Sequence, residues 1–184
     1  MQWILASASP RRKQLLGEIV EKFEIIPAKG EEDGRGLTGA KLVETLAEQK
    51  ASEVAALPQA KNKAVLGADT VVCLNGEVLG KPVSEENAKQ MLFSLSGCTH
   101  EVFTGVCLIL PSGEKQVFSD CARVTFKALS KEEIEAYVAT GSPMDKAGAY
   151  GIQDCGFVEK IEGSYSCVVG LPVELCKKKI APYL

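Results

Sequence analysis

Apolar and polar residues alternate along the chain with two different periods, and these separate short strands from amphipathic helices. Residues 2–6 form a short apolar run, the pattern of a buried strand. Ser9-Pro10 follows at once, a good N-cap with proline at the first helical position, and predicts a helix from Pro10 to about Gly17. Residues 23–26 predict a second strand. Residues 27–39 carry glycine and charge without periodicity, which predicts a mobile loop. From about Gly39 to Leu57, Leu42, Val43, Leu46, Ala47, Val54 and Leu57 recur at helical spacing.

Downstream the period shortens. Ala64–Leu74 predicts a strand interrupted by Gly67-Ala68-Asp69-Thr70, and Asn75-Gly76 is a hairpin signal with Glu77-Val78-Leu79 as the return. Ser84 opens a helix ending near Leu95, and two long strands, about 99–110 and 115–127, flank Pro111-Ser112-Gly113. Ser130-Lys131-Glu132-Glu133 is a capping box that opens a helix to about Ala139. A glycine-rich stretch, 141–156, precedes strands expected at about 156–161 and 165–169 and a last helix near 172–180. Helices alternate with strands while hairpins are frequent, so an α/β protein with a mixed rather than purely parallel sheet is expected.

Composition narrows the function. A chain of 184 residues suits a single domain, with or without two lobes, and at this size about 70% of the unfolded surface can be buried. Net charge is −3 and the isoelectric point about 5.4. There is no general basic field of the kind nucleic-acid-binding proteins carry, so an anionic ligand would be met by a few local cations. Seven cysteines, an odd number without a Cys-x-x-Cys pair, and one histidine, His100, give no common zinc spacing. Buried thiols in a reducing compartment are the simpler reading, and a structural role is expected for His100. No apolar run approaches a membrane span, and the first residues lack the pattern of a signal peptide, which places the protein in the cytoplasm.

Five segments are candidates for chemistry. Ser7-Ala8-Ser9-Pro10-Arg11-Arg12 brings hydroxyls, two guanidinium forks and a helix N-terminus together, as an anion cradle does; a capped helix with exposed arginines is the alternative. Asp69 follows the apolar start of a strand, where a carboxylate is unusual unless it is a metal ligand or general base; a turn aspartate at a strand edge is the alternative. Lys81, just after the hairpin, could reach a phosphate or simply be solvated. Lys50 lies in the apolar stripe Val43, Ala47, Lys50, Val54, where it either snorkels out or pairs with something anionic. Met144 to Gln153 combines small residues, which let backbone approach a ligand, with the polar ends of Asp145, Lys146 and Gln153. Glu31-Glu32 forms an acidic pair in the loop, ordinarily a solvated one. Two acids, scattered cations and a helix N-terminus suit metal-assisted phosphate chemistry.

In this order the segments resemble the Maf family. The resemblance rests on Leu5-Ala6-Ser7-Ala8-Ser9-Pro10-Arg11-Arg12, Gly67-Ala68-Asp69-Thr70-Val71-Val72, Leu79-Gly80-Lys81-Pro82, Leu95-Ser96-Gly97 with His100 and Thr104-Gly105-Val106, then Asp145 to Gln153, and Val169-Gly170-Leu171-Pro172. It implies an α/β fold with a mixed, twisted sheet, flanking helices and two lobes around a nucleotide groove, similar to inosine triphosphate pyrophosphatases. It implies hydrolysis of a nucleoside triphosphate between the α and β phosphates with a divalent metal, Mg²⁺ or Mn²⁺. The family's catalytic carboxylate corresponds to Asp69, and its acidic loop residue to Glu32, with Glu31 as the neighbouring choice; Glu32 and Asp69 are then the metal ligands. The phosphate-binding set matches Ser7, Ser9, Arg11, Arg12, Lys50 and Lys81, and positions tied to the choice of base match Arg12, Thr70 and Gln153. The Asp145–Gln153 segment resembles the branch acting on dTTP and UTP rather than the one acting on 7-methyl-GTP. A pyrophosphatase for another or modified nucleotide is the rival enzyme. Family members are also linked to inhibition of septum formation, which makes a cell-division protein a candidate partner, and a homodimer is a family-based expectation. One departure stands out: after Gln153 the family usually continues with glycine and a run about two residues longer, where this chain has Asp154-Cys155-Gly156.

Overall fold

The computed structural model describes residues 1–184. Its elements are β1 (Trp3–Leu5), α1 (Pro10–Gly17), β2 (Glu24–Ile25), α2 (Gly39–Ala55), β3 (Ala64–Leu74), β4 (Glu77–Leu79), α3 (Glu85–Leu95), β5 (Thr99–Ile109), β6 (Lys115–Phe126), α4 (Lys131–Ala139), β7 (Val158–Glu162), α5 (Tyr165–Val169) and α6 (Val173–Ile180). The strands form one sheet in the order β2-β1-β3-β5-β6-β7, with β4 also paired to β3. β1 runs parallel to β2 and β3, and the other pairs are antiparallel, so the sheet is mixed as the hairpin signals required.

Local chemistry sets several boundaries. Ser9 caps α1 by accepting from the Arg12 backbone N–H, with Pro10 at the start. Ser130 and Glu133 make both halves of the capping box at α4. Asn75 and Gly76 both take positive φ, as the tight turn between β3 and β4 demands. One expectation fails: residues 165–169 are not a strand but helix α5. The β-branched run there favours a strand locally, yet Ser164 accepts from the Cys167 N–H as an N-cap, and Gly170, at φ 130°, ends the turn.

The core has four parts, and a polar row divides them. α2 alone covers one face of the sheet, while α1 and α6 cover half of the other and α3 and α4 the remainder. Along β3, Leu66 and Ala68 belong to the α1/α6 core and Val72 to the α3/α4 core. Between them stands Thr70, paired across the ladder with Thr104 of β5, itself opposite Asp120 of β6. On the α2 face the same boundary falls at Asp69, between Val65 and Val71. A hydrophobic strand interrupted at one level on both faces leaves polar groups where two cores meet.

His100 belongs to the core of the α3/α4 half. It is buried, its Nε2 is 2.7 Å from the Tyr150 hydroxyl, and it packs edge-on against Phe126 and Tyr150. Burial pushes its pKa down to about 4. The unfolded chain therefore takes up a proton below about pH 6.5 that the native state refuses. Stability associated with this residue is present above that pH and is lost as pH falls towards 4, by up to about 3 kcal/mol. His100→Gln, which can keep a bond to Tyr150, is expected to unfold with a shallower acid dependence between pH 7 and pH 4.5 than the parent; parallel denaturation curves over that range would refute it.

Candidate active site

Strand β3 has a gap along one edge. Trp3–Leu5 pair with its first residues, Ala64–Leu66, and β4 pairs with its last, Val72–Leu74. The Ala6 N–H still reaches the Leu66 carbonyl, and then the chain leaves the sheet. Residues 67–71 thus have a ladder partner only on the β5 side. The two chain segments that end at this gap are Ser7–Ser9, leading into α1, and Gly80-Lys81, leaving β4. A cavity of about 470 Å³ occupies the gap and reaches both faces of the sheet. Strand alternation points Asp69 towards α2 and Thr70 the opposite way.

On the α2 side two carboxylates share one ammonium. Lys50 Nζ lies 2.5 Å from Asp69 Oδ1 and 3.0 Å from Glu32 Oε1, and both Lys50 and Asp69 side chains are largely buried. The helix comes close enough for this because β3 and β5 carry Gly67 and Gly105 beneath it: a Cβ at Gly67 would lie 2.6 Å from the Ala47 carbonyl oxygen. The loop carrying Glu32 has no regular structure but is tied to α2. Glu53 accepts from the N–H groups of Lys29 and Gly30, and Gln49 both accepts from Asp33 N–H and donates to its carbonyl. Asp69 Oδ2 makes no hydrogen bond within the protein. With Lys50 on one oxygen of each carboxylate, the other oxygens of Asp69 and Glu32 suit a hard divalent cation, since Mg²⁺ takes one or two carboxylates and completes its shell with water and substrate phosphate. No group of three Asp, Glu, His or Cys side chains is gathered anywhere, so a closed all-protein cage is not what this site offers.

On the opposite face a directed chain of hydrogen bonds fixes Arg12. Its Nε donates to the Gly170 carbonyl at 2.9 Å, Nη2 to Thr70 Oγ1 at 3.0 Å and Nη1 to Ser7 Oγ at 3.4 Å. Thr104 Oγ1 donates to the Cys167 carbonyl at 2.7 Å and so must accept from Thr70, which lies 2.8 Å away. Thr70 thus donates to Thr104 and accepts from Arg12, with both roles taken. Burial lowers the Arg12 pKa from its usual value, Asp69 and Glu32 oppose this, and the guanidinium stays charged. Helix α5 delivers the Cys167 carbonyl, and Gly170 the next acceptor, which is why an expected strand there would have left Thr104 and Arg12 unpaired.

Of the residues singled out in the sequence, Ser9, Arg11, Arg12, Glu32, Lys50, Asp69, Thr70, Lys81 and Gln153 all line this one cavity. Ser7 does not; its hydroxyl accepts from Ser9 N–H and Arg12 behind the wall. Glu31 is exposed and off the cavity, which favours Glu32 of the acidic pair. Away from α2 the cavity has an apolar patch made by Val72, Val102, Tyr150, Ile152 and Val168, beside the polar Arg12, Thr70, Lys146 and Gln153. Thr104 and the Gly170 carbonyl were not recognised from sequence as part of the site. A hydroxyl in the middle of a buried strand was the available signal for Thr104. No cysteine lines the cavity, and burial raises Cys107 to about 11 and Cys167 and Cys176 to about 12, so these three are thiols.

The sequence matches the family profile described as "Maf-like protein" over residues 2–182. A protein of Carboxydothermus hydrogenoformans named dTTP/UTP pyrophosphatase is 50% identical over 176 residues, covering 94% of this chain and 94% of that protein. A protein of Bacillus mycoides with the same name is 51% identical over 174 residues, covering 92% of this chain and 89% of its own. Among solved structures the Staphylococcus aureus Ham1 protein is similar with a TM-score of 0.55 at 15% identity, covering 100% of both chains, a likeness of fold alone. A profile matched over nearly the whole length, together with relatives that share half its residues, shows that the chain belongs to the Maf-like protein family.

Proposed function

We propose that this chain is a nucleoside triphosphate pyrophosphatase that hydrolyses dTTP and UTP to the monophosphate and pyrophosphate. The observation that carries the reading is a single cavity with the Asp69–Lys50–Glu32 cluster at one end and an apolar patch at the other. Such a cavity suits a ligand that is anionic at one end and aromatic at the other. The names of relatives sharing half the sequence supply the substrate class.

In this reading Glu32 and Asp69 would hold a divalent cation, Mg²⁺ or Mn²⁺, which when bound would supply positive charge to the triphosphate and lower the pKa of nearby water. Ser9, Arg11, Arg12, Lys50 and Lys81, with the N–H groups opening α1, bind the phosphate oxygens and stabilise charge on departing pyrophosphate. Asp69 orients a water through Oδ2 and receives its proton. The water oxygen bonds to the α-phosphorus while the bond to the bridging oxygen of the β-phosphate breaks. Hydrolysis in ¹⁸O-labelled water is expected to leave the label in dTMP; label in the pyrophosphate would place attack at the β-phosphorus and overturn this reading.

Gln153 serves the other end. Its amide both donates and accepts, and thymine and uracil present O2, N3–H and O4, whereas cytosine reverses the polarity of two of these. With Arg12 and Thr70 it sets the choice of base. Gln153→Ala is expected to lower kcat/KM for dTTP and UTP about tenfold while leaving CTP nearly unchanged, because the lost hydrogen bonds were specific to the former. Steady-state rates on the three nucleotides would check this. No helix is long and apolar enough to cross a membrane, and an enzyme of free nucleotides fits the cytoplasm.

A further inference from the structure

The segment that carries Gln153 is not part of the sheet. Ser142–Asp145 and Ala147–Ala149 are short 3-10 turns, with Gly148 and Ala149 both at positive φ, and this stretch makes no ladder bonds. Its middle is anchored by core packing of Ala149, Tyr150 and Cys155 and by the Gly148 N–H to the Gly80 carbonyl, while its two ends, at Ser142 and at Gly151–Asp154, are joined by a side-chain network. The Asp154 carboxylate accepts from the Tyr137 hydroxyl at 2.9 Å through Oδ1 and from the Ser142 hydroxyl at 2.5 Å through Oδ2. Tyr137 in turn accepts from the Gly151 N–H at 2.9 Å. Lys146 crosses the same ground, donating to the Ser142 carbonyl at 2.6 Å and to its hydroxyl at 3.0 Å. One carboxylate therefore ties the beginning of the segment to its end, with α4 as the fixed post. Both side chains pack directly against the Gly151 backbone: a Cβ there would come within 2.8 Å of Asp154 Oδ1 and of Lys146 Cε.

We propose that Asp154, with Tyr137 and Ser142, is a clamp that positions Gln153 for discrimination between pyrimidine bases. Asp154 is the residue next to Gln153, and neither it nor Tyr137 nor Ser142 lines the cavity. They act through the backbone of Gly151–Gln153, as positioning residues. The Gln153 side chain makes no hydrogen bond of its own, so its place depends on the backbone that carries it.

This inference rests on the role proposed for Gln153. Its test compares the parent, Tyr137→Phe, Asp154→Asn and Asp154→Ala on dTTP, UTP and CTP, with thermal unfolding of each. Tyr137→Phe and Asp154→Ala are expected to raise KM for dTTP about tenfold at a kcat within about twofold of the parent, and to narrow the dTTP-to-CTP ratio of kcat/KM about as far. Asp154→Asn, which keeps one acceptor oxygen, should fall between. A lower melting temperature with an unchanged ratio and unchanged KM would reduce the network to a structural role and overturn the proposal. If the parent itself does not distinguish dTTP from CTP, the reading of Gln153 fails; the clamp is then decided by whether KM for the best triphosphate still rises in the variants.

Discussion

Asp69→Asn is expected to lower turnover of dTTP by on the order of 10³-fold while the protein remains folded. Asparagine has the same shape and keeps an oxygen for Lys50, which also retains Glu32 at 3.0 Å, so the α2 side of the cavity stays in place. What is lost is the charge and basicity of a group whose second oxygen faces the cavity without a partner. The amide can neither take a proton from water nor hold a divalent cation as a carboxylate does. The loss should appear mainly in kcat, since Ser9, Arg11, Arg12 and Lys81 are untouched and Lys50 keeps Glu32. Pyrophosphate release under saturating substrate, beside a melting curve, checks it. A variant that unfolds well below the parent would shift the explanation from chemistry to the Lys50 network.

The second large effect concerns no polar group. Gly105→Ala is expected to destabilise the fold by about 3 kcal/mol or more, as overpacking against a rigid neighbour does. The added Cβ would lie 2.3 Å from the Val43 carbonyl oxygen and 2.7 Å from the Glu44 nitrogen, both backbone atoms of α2. No rotamer change relieves contact with a helix backbone, so α2 must move. Asp69 is the ladder partner of Gly105, and Lys50 rides on the same helix, so activity should fall with stability. In a protein of this size the melting temperature should drop by about 10 °C. Gly17→Ala is the control: nothing lies within 4 Å of its added Cβ and its φ is ordinary, so a small change of either sign is expected. Equal effects at the two glycines would show that α2 is not held by close approach.

Much of this framework was legible in the chain. Ser9-Pro10, Asn75-Gly76 and the Ser130–Glu133 box carry their conformations in their own chemistry, and the two helices and the turn they predict are present. Lys50 announced itself as a cation in an apolar stripe, and Asp69 as an acid inside a strand. Their meeting was not legible, because it depends on α2 packing close over Gly67 of β3 and Gly105 of β5, far apart in the chain. Nor was α5: a five-residue run of Tyr, Ser, Cys and two Val favours a strand until Ser164 and Gly170 close it from either side. The loop before α2 looked mobile because it lacks periodicity, yet Glu53 and Gln49 pin it from a helix whose facing side chains no local pattern reveals.

The most direct test of the account is pyrophosphate release by the purified protein with Mg²⁺ or Mn²⁺ on dTTP, UTP, CTP and 7-methyl-GTP, with Asp69→Asn alongside. Rapid release from dTTP and UTP, slow release from the other two, and its loss in the variant are the predicted result. Release from none of the four by folded protein, or release that survives Asp69→Asn, would contradict it.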